Sequence, residues 1–127
     1  MFAIKRKIRL SETDATGCIY FINQLRFASE ALEAFLEERL GELRSIFQEF
    51  QLPVVNVQSQ YFSPLFWGDE IEIILTIKSI GNTSIEFQTL INKDGKKAGE
   101  CFITHVFVSK KTNQSIEIPA NLKLKLQ

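Results

Sequence analysis

One stretch of this chain keeps helical periodicity over several turns, and almost everything after it alternates as strands, which narrows the architectures open to it. From about Phe21 to Leu40, the residues Leu25, Ala28, Leu32, Phe35 and Leu36 recur at three- and four-residue steps. Arg26, Glu30, Glu33 and Glu37 follow the same steps on a polar stripe, as an amphipathic helix requires. Ala28, Ala31 and Ala34 are small enough for a sheet to approach closely. Gly41 supplies a stop signal, and Glu42 to Phe50 reads as a short second helix with Leu43, Ile46, Phe47 and Phe50 turned inward.

Ahead of the helix, Phe2 to Leu10 reads as a strand with Ile4, Ile8 and Leu10 on one side. Ser11 to Tyr20 connects the two, and Gly17 is where this turn accepts a positive φ without steric cost. Beyond Pro53 the pattern predicts strands over Val54 to Phe62, Glu70 to Ile80, Ser84 to Asn92 and Lys97 to Lys110. Turn chemistry separates them at Ser63-Pro64, Trp67-Gly68-Asp69, Gly81-Asn82 and Asp94-Gly95. Ser115 to Ile118 is a last extended piece, followed by Pro119 and a short tail.

Strand, long helix, then about four antiparallel strands in meander is an α+β order, and residues 1–127 form one domain on this reading. One long central helix wrapped by a curved antiparallel sheet, the hotdog fold, satisfies it. Cystatin-like and cone-shaped α+β folds share the early helix and the meander.

Bulk properties exclude other classes. The chain carries 15 basic and 15 acidic residues, so no net charge draws it to nucleic acid. No apolar run is long enough to span a bilayer, and Met1 to Lys7 lacks the apolar core of a signal peptide, which makes the cytoplasm the default location. Cys18 and Cys101 do not make a disulfide framework. The single histidine, His105, falls short of a structural zinc site, which takes about four ligands, and no metal or cofactor is expected.

The connection Ser11 to Tyr20 carries the candidate chemistry. Asp14 ends an extended segment and is followed by a glycine turn and a helix start, whose first N–H groups lack intrahelical partners and carry partial positive charge. Such amides stabilise a developing oxyanion, while a carboxylate attacks the carbonyl or activates water, so the pattern suits acyl transfer. The plainer reading of Asp14 is a turn or cap residue. Glu12 lies two residues earlier and is expected to be a solvated strand end, and Asn23 to cap the helix rather than orient a water. Glu30 belongs to the charged stripe. Phe62, with Phe66 and Trp67, lines an acyl pocket or fills the core. Thr83 and Ser84 contact pantetheine or serve only the hairpin, and His105 is expected to be a packed strand residue.

Glu12-Thr13-Asp14-Ala15-Thr16-Gly17-Cys18-Ile19-Tyr20-Phe21 resembles the motif of hotdog acyl-CoA thioesterases of the 4-hydroxybenzoyl-CoA thioesterase type. The resemblance continues through Asn23, Leu52-Pro53-Val54-Val55 and Tyr61-Phe62-Ser63-Pro64-Leu65 to Gly68-Asp69. Within that family the chain looks most like the 1,4-dihydroxy-2-naphthoyl-CoA thioesterases of phylloquinone and menaquinone synthesis. The resemblance implies that Asp14 is nucleophile or general base and that the Phe21 backbone N–H polarises the thioester carbonyl. Gly17 and Tyr20 share the motif and count as substrate-contact candidates, and the resemblance adds Glu30, whose position in the family often carries an acid near the pocket. Relatives acting on short aliphatic acyl-CoAs have a histidine where Phe21 stands, so its absence favours an aromatic acyl group. The family's basic cluster for CoA phosphates would fall near Gly81 to Ser84, which holds no basic residue. An exposed sheet edge and an incomplete pocket imply a homo-oligomer, dimer or tetramer, with acyl-CoA bound between subunits. A hotdog dehydratase and a non-catalytic acyl-CoA-binding module are the alternatives.

Overall fold

A computed structural model describes residues 1–127. Seven strands and three α-helices follow one another as β1 (Phe2–Lys7), α1 (Asn23–Leu40), α2 (Leu43–Glu49), β2 (Phe50–Gln51), β3 (Val54–Tyr61), β4 (Glu70–Ile80), β5 (Ser84–Lys93), β6 (Lys96–Val106), β7 (Val108–Ser109) and α3 (Ala120–Leu126). The main sheet has five antiparallel strands in the order β1-β4-β5-β6-β3, and β2 pairs with β7 in a two-stranded ribbon. This is the hotdog fold: α1 lies across one face of the curved sheet, and the core sits between them.

Alternation explains which face is covered. Ile71, Ile73 and Leu75 of β4 are buried, as are Ile85, Phe87 and Ile91 of β5, and all belong to one core with Phe27, Ala31 and Phe35 of α1. Phe35 packs edge-on against Phe2 at 5.5 Å and Phe87 at 6.2 Å between ring centroids, closing the core over the middle of the sheet.

The structure departs from the sequence expectations at several points. The strands do not form one simple meander: β4, β5 and β6 do, but β3 crosses to the far side of β6 and leaves β4 to pair with β1. Helix α1 starts at Asn23, so Phe21 lies in the turn before it. The strand expected over Lys97 to Lys110 divides at Phe107: its N–H still reaches the Thr83 carbonyl at 2.8 Å in the β5–β6 register, but Val108 and Ser109 beyond it pair with β2 instead. Ser115 to Ile118 contributes an isolated bridge to Val108 rather than a strand. The tail is helical: Leu122 and Leu126, one turn apart, bury against the core beside α1. No helix is long and apolar enough to cross a membrane.

Candidate active site

Three segments converge on the start of α1. Thr13 pairs with Ile19, and the Asp14 N–H donates to the Cys18 carbonyl at 2.8 Å, closing residues 13–19 into a small hairpin. Gly17 turns it at a φ of 83°; an added Cβ would meet only Trp67 Cδ1 at 3.8 Å, so conformation rather than space calls for glycine. The hairpin leans on residues 65–69: Ile19 N–H donates to the Leu65 carbonyl at 2.8 Å and Trp67 N–H to the Gly17 carbonyl at 3.1 Å. Asp69 holds that support in shape, its Oδ2 accepting from the Phe66 N–H at 2.8 Å and from Lys93 Nζ at 3.0 Å.

Asp14 is exposed, and its Oδ1 accepts from the Thr16 hydroxyl at 2.5 Å and the Thr16 N–H at 2.8 Å. The hydroxyl first and the amide second hold its pKa below the ordinary carboxylate value, because both bonds favour the ionised form. Oδ2 makes no hydrogen bond within the protomer.

The entry to α1 is built on one carbonyl. Glu12 O accepts from the Tyr20 N–H at 3.0 Å and from Asn23 Nδ2 at 2.7 Å, while the Asn23 N–H donates to the Tyr20 carbonyl at 2.8 Å. Asn23 therefore does not cap the helix as expected; Ile22 occupies the cap position with no side-chain bond. The N–H groups of Phe21 and Ile22 donate to nothing in the protomer. The Phe21 carbonyl is tied down by the Tyr61 hydroxyl at 2.6 Å, which fixes the orientation of the peptide that follows. Tyr20 and Phe21 are largely exposed beside it, with ring centroids 5.0 Å apart.

The Glu12 side chain also corrects the sequence reading. It is buried rather than solvated, ion-paired with Arg6 and accepting from the Arg9 N–H at 2.8 Å. Burial alone raises its pKa, but the bonds and charges of Arg6 and Arg9 outweigh this and hold it below the ordinary value. Glu30 reaches the same guanidinium, its two oxygens 2.8 and 2.5 Å from Arg6 Nη1. Both acids are thus engaged in one structural cluster, with Arg6 stacked 4.6 Å over the Phe27 ring.

Two hollows flank this entry. A cleft of about 360 Å³ at the helix start is lined by Phe21, Gln24, Tyr61 and Phe62 among others. A cavity of about 230 Å³ lies further along, between Leu25, Ala28 and Leu32 of α1 and Val54, Val57, Phe87 and Thr89 of the sheet. Gln24, which sequence reasoning passed over, stands between them. It is 1% exposed, and its Nε2 donates to Ser59 Oγ and the Gln60 carbonyl, both at 2.9 Å. Its Oε1 lies against Gly99 so closely that no Cβ would fit there. A polar residue on the apolar face at the very start of the helix was the available signal.

Other candidates sit apart. Thr83 and Ser84 join β4 to β5 at the end of the sheet opposite the Asp14 hairpin, roughly 33 Å away along β4 at about 3.3 Å per residue. Within one protomer they serve the turn: Ser84 O accepts from the Gly81 N–H at 2.8 Å. His105 is 8% exposed and its Nδ1 lies 2.9 Å from the Leu52 carbonyl, away from the helix start.

Comparisons with known proteins bear on the family and the fold. The family model for the thioesterase-like superfamily matches residues 8–126. A 1,4-dihydroxy-2-naphthoyl-CoA hydrolase from Gloeothece citriformis is 33% identical over 124 residues, covering 94% of this chain and 87% of its own. Another from Rippkaea orientalis is 34% identical over 122 residues, covering 92% and 88%. Among solved structures, a 1,4-dihydroxy-2-naphthoyl-CoA thioesterase from Synechocystis superposes with a TM-score of 0.90 at 23% identity, over 98% of this chain and 94% of that one.

Proposed function

The chain belongs to the thioesterase-like superfamily, and from that premise we propose that it hydrolyses an aromatic acyl-CoA of the 1,4-dihydroxy-2-naphthoyl type to free acid and CoA. One observation carries the mechanism. Two unpaired amides, Phe21 and Ile22, follow directly on a hairpin whose opposite arm bears an ionised carboxylate with one free oxygen.

The thioester carbonyl docks on these amides, and charge that develops on its oxygen is met by N–H dipoles held in place, that of Ile22 by the Tyr61 hydroxyl on the Phe21 carbonyl and that of Phe21 by the Asn23 N–H on the Tyr20 carbonyl. Removing one such donor costs about 10²–10³ in rate. Asp14 Oδ2 then attacks the carbonyl carbon to give a mixed anhydride, or takes a proton from the attacking water. In the first route the thiolate of CoA departs as the anhydride forms, and water then hydrolyses the anhydride to free the acid and restore Asp14; in the second, water adds directly and the thiolate departs from the tetrahedral intermediate, leaving the acyl group as a carboxylate. Phe62 and Tyr20, exposed at the same entry, flank the bound thioester.

A second copy of the chain completes the site in this reading. β3 is an edge strand with no charged residue along Val54–Tyr61, and Val54, Val55, Val57 and Tyr61 are exposed on it. Such an edge favours pairing with another strand. Antiparallel pairing of β3 with its own copy carries the Thr83–Ser84 end of one sheet toward the Asp14 end of the other, where pantetheine contacts become feasible.

A thiol-release screen over aromatic and aliphatic acyl-CoAs tests the proposal. Turnover is expected to be highest with 1,4-dihydroxy-2-naphthoyl-CoA, and saturable binding of acyl-CoAs with no thiol release would overturn it in favour of a binding module.

A further inference from the structure

Of the α1 side chains that bury, Gln24, Phe27, Ala28, Ala31, Phe35 and Leu36, only Gln24 is polar. Both hydrogens of its amide are committed: Nε2 donates to Ser59 Oγ and to the Gln60 carbonyl, both at 2.9 Å. Its Oε1 is fully buried and accepts from nothing. An unpaired buried acceptor costs stability that an apolar residue here would not, so packing alone gives no reason for an amide. The amide is nonetheless held firmly. Ser59 Oγ lies 3.5 Å from Cys101 Sγ of β6, and the Gln24 head group occupies the space that a Cβ on Gly99 would take.

Its position supplies the reason. On β3 the inward residues are Val57, Ser59 and Tyr61, opposite Ile103, Cys101 and Gly99 of β6. Val57 lines the cavity under α1, Tyr61 lines the cleft at the helix start, and Ser59 stands between them. From the helix side the order is the same: Phe21 and Gln24 line the cleft, Leu25 and Ala28 the cavity. The bond from Gln24 to Ser59 therefore spans from helix to edge strand at the boundary between hollows of about 360 and 230 Å³. Behind that boundary, eight of the eleven lining residues are hydrophobic, which suits an alkyl chain. A methionine here would change rotamer and let a chain pass. An amide tied to the strand by two bonds stays across the opening.

We propose that Gln24 is a specificity-determining residue that ends the acyl pocket. An acyl group whose carbonyl rests on the Phe21 amide meets Gln24 three residues on, about one helical turn. Compact ring systems are accommodated within the cleft, whereas a linear chain has to pass the amide to reach the apolar space behind it. This rests on the acyl-CoA thioesterase reading above.

The test is the ratio of kcat/KM for decanoyl-CoA to that for 1,4-dihydroxy-2-naphthoyl-CoA. Gln24→Ala is expected to raise this ratio by about 15- to 60-fold, which two to three newly buried methylenes supply at about 0.8 kcal/mol each. Gln24→Ser also shortens the side chain and carries the comparison should Gln24→Ala fail to fold. Ala28 faces the cavity, so adding Ala28→Leu to either variant fills that space and is expected to bring the ratio back down. A general loosening of the fold would not be reversed this way. An unchanged ratio in the shortened variants, or a gain that survives Ala28→Leu, overturns the assignment while leaving thioester hydrolysis standing. Absence of turnover with every acyl-CoA in the unaltered protein overturns the parent reading and this one together.

Discussion

Asn23 Nδ2 donates to the main-chain carbonyl of Glu12 at 2.7 Å, joining the first residue of the central helix to the turn that ends the first strand. The Glu12 carboxylate points the other way, into the ion pair with Arg6 of β1. One residue therefore anchors the hairpin bearing Asp14 and the turn bearing the free amides, so their relative position depends on a buried charge pair.

Removing that charge separates structure from chemistry. Glu12→Gln leaves Arg6 with Glu30 alone and is expected to destabilise the fold by about 3 kcal/mol, the range for breaking a buried pair from one side. The folded-state pKa of Glu12 is depressed, so its contribution is complete above the unfolded value of about 4.3 and is lost as pH falls through the lower folded value. Thermal melts of both proteins should therefore converge on acidification. A gap that widens toward low pH would contradict the ion-pair account.

At Asp14 the expectation is the reverse, lost activity with an intact fold. Asp14→Asn is expected to lower kcat by about 10²–10⁴ with no change in melting temperature, since the side chain is exposed. Thr16→Val removes the hydroxyl that most strongly favours the ionised carboxylate. The acid limb of its kcat/KM profile should move to higher pH while the neutral plateau persists. An unmoved limb would mean that another group sets it.

Gly99 lies at ordinary backbone angles but has no room for a methyl group beside Gln24. Gly99→Ala is expected to cost about 1–3 kcal/mol through overpacking. Because the obstacle is a side chain, Gln24→Ala in the same protein should cost less than the sum of the two changes. A double-mutant cycle by urea denaturation measures the coupling, and strict additivity would show that the Gln24 contact is not the cause.

The uncharged β3 edge offers a test of assembly. Asn56→Lys with Gln58→Lys places like charges on a strand that pairs with its own copy, and the protein should elute as a monomer in light-scattering chromatography. Loss of thioesterase activity is expected to accompany this change. An active monomer would remove the second copy from the site.

The periods of the main helix and strands were legible in the residues, while the helical tail Ala120–Leu126 and the exact start of α1 were not. The three- and four-residue steps of Leu25, Ala28 and Leu32 announced the helix, and alternation in Glu70–Ile80 announced the strand. Gly17, Gly68-Asp69 and the acid at Asp14 marked the turn that matters, because backbone torsion and side-chain period are properties of neighbouring residues. Partners distant in the chain were decided only by packing. Period-two spacing cannot say that β3 lies beyond β6 rather than beside β4, since any strand of matching face satisfies the same pattern. Glu12 looked solvated because nothing near it in sequence reports the burial created when Arg6 and Glu30 close over it. His105 and Thr89, sixteen residues apart, line one cavity only because β5 and β6 run antiparallel beneath the same helix. Sequence determined the period of the long helix and of the main strands, because period is set by neighbouring residues; burial shared between side chains distant in the chain decided which polar groups found partners.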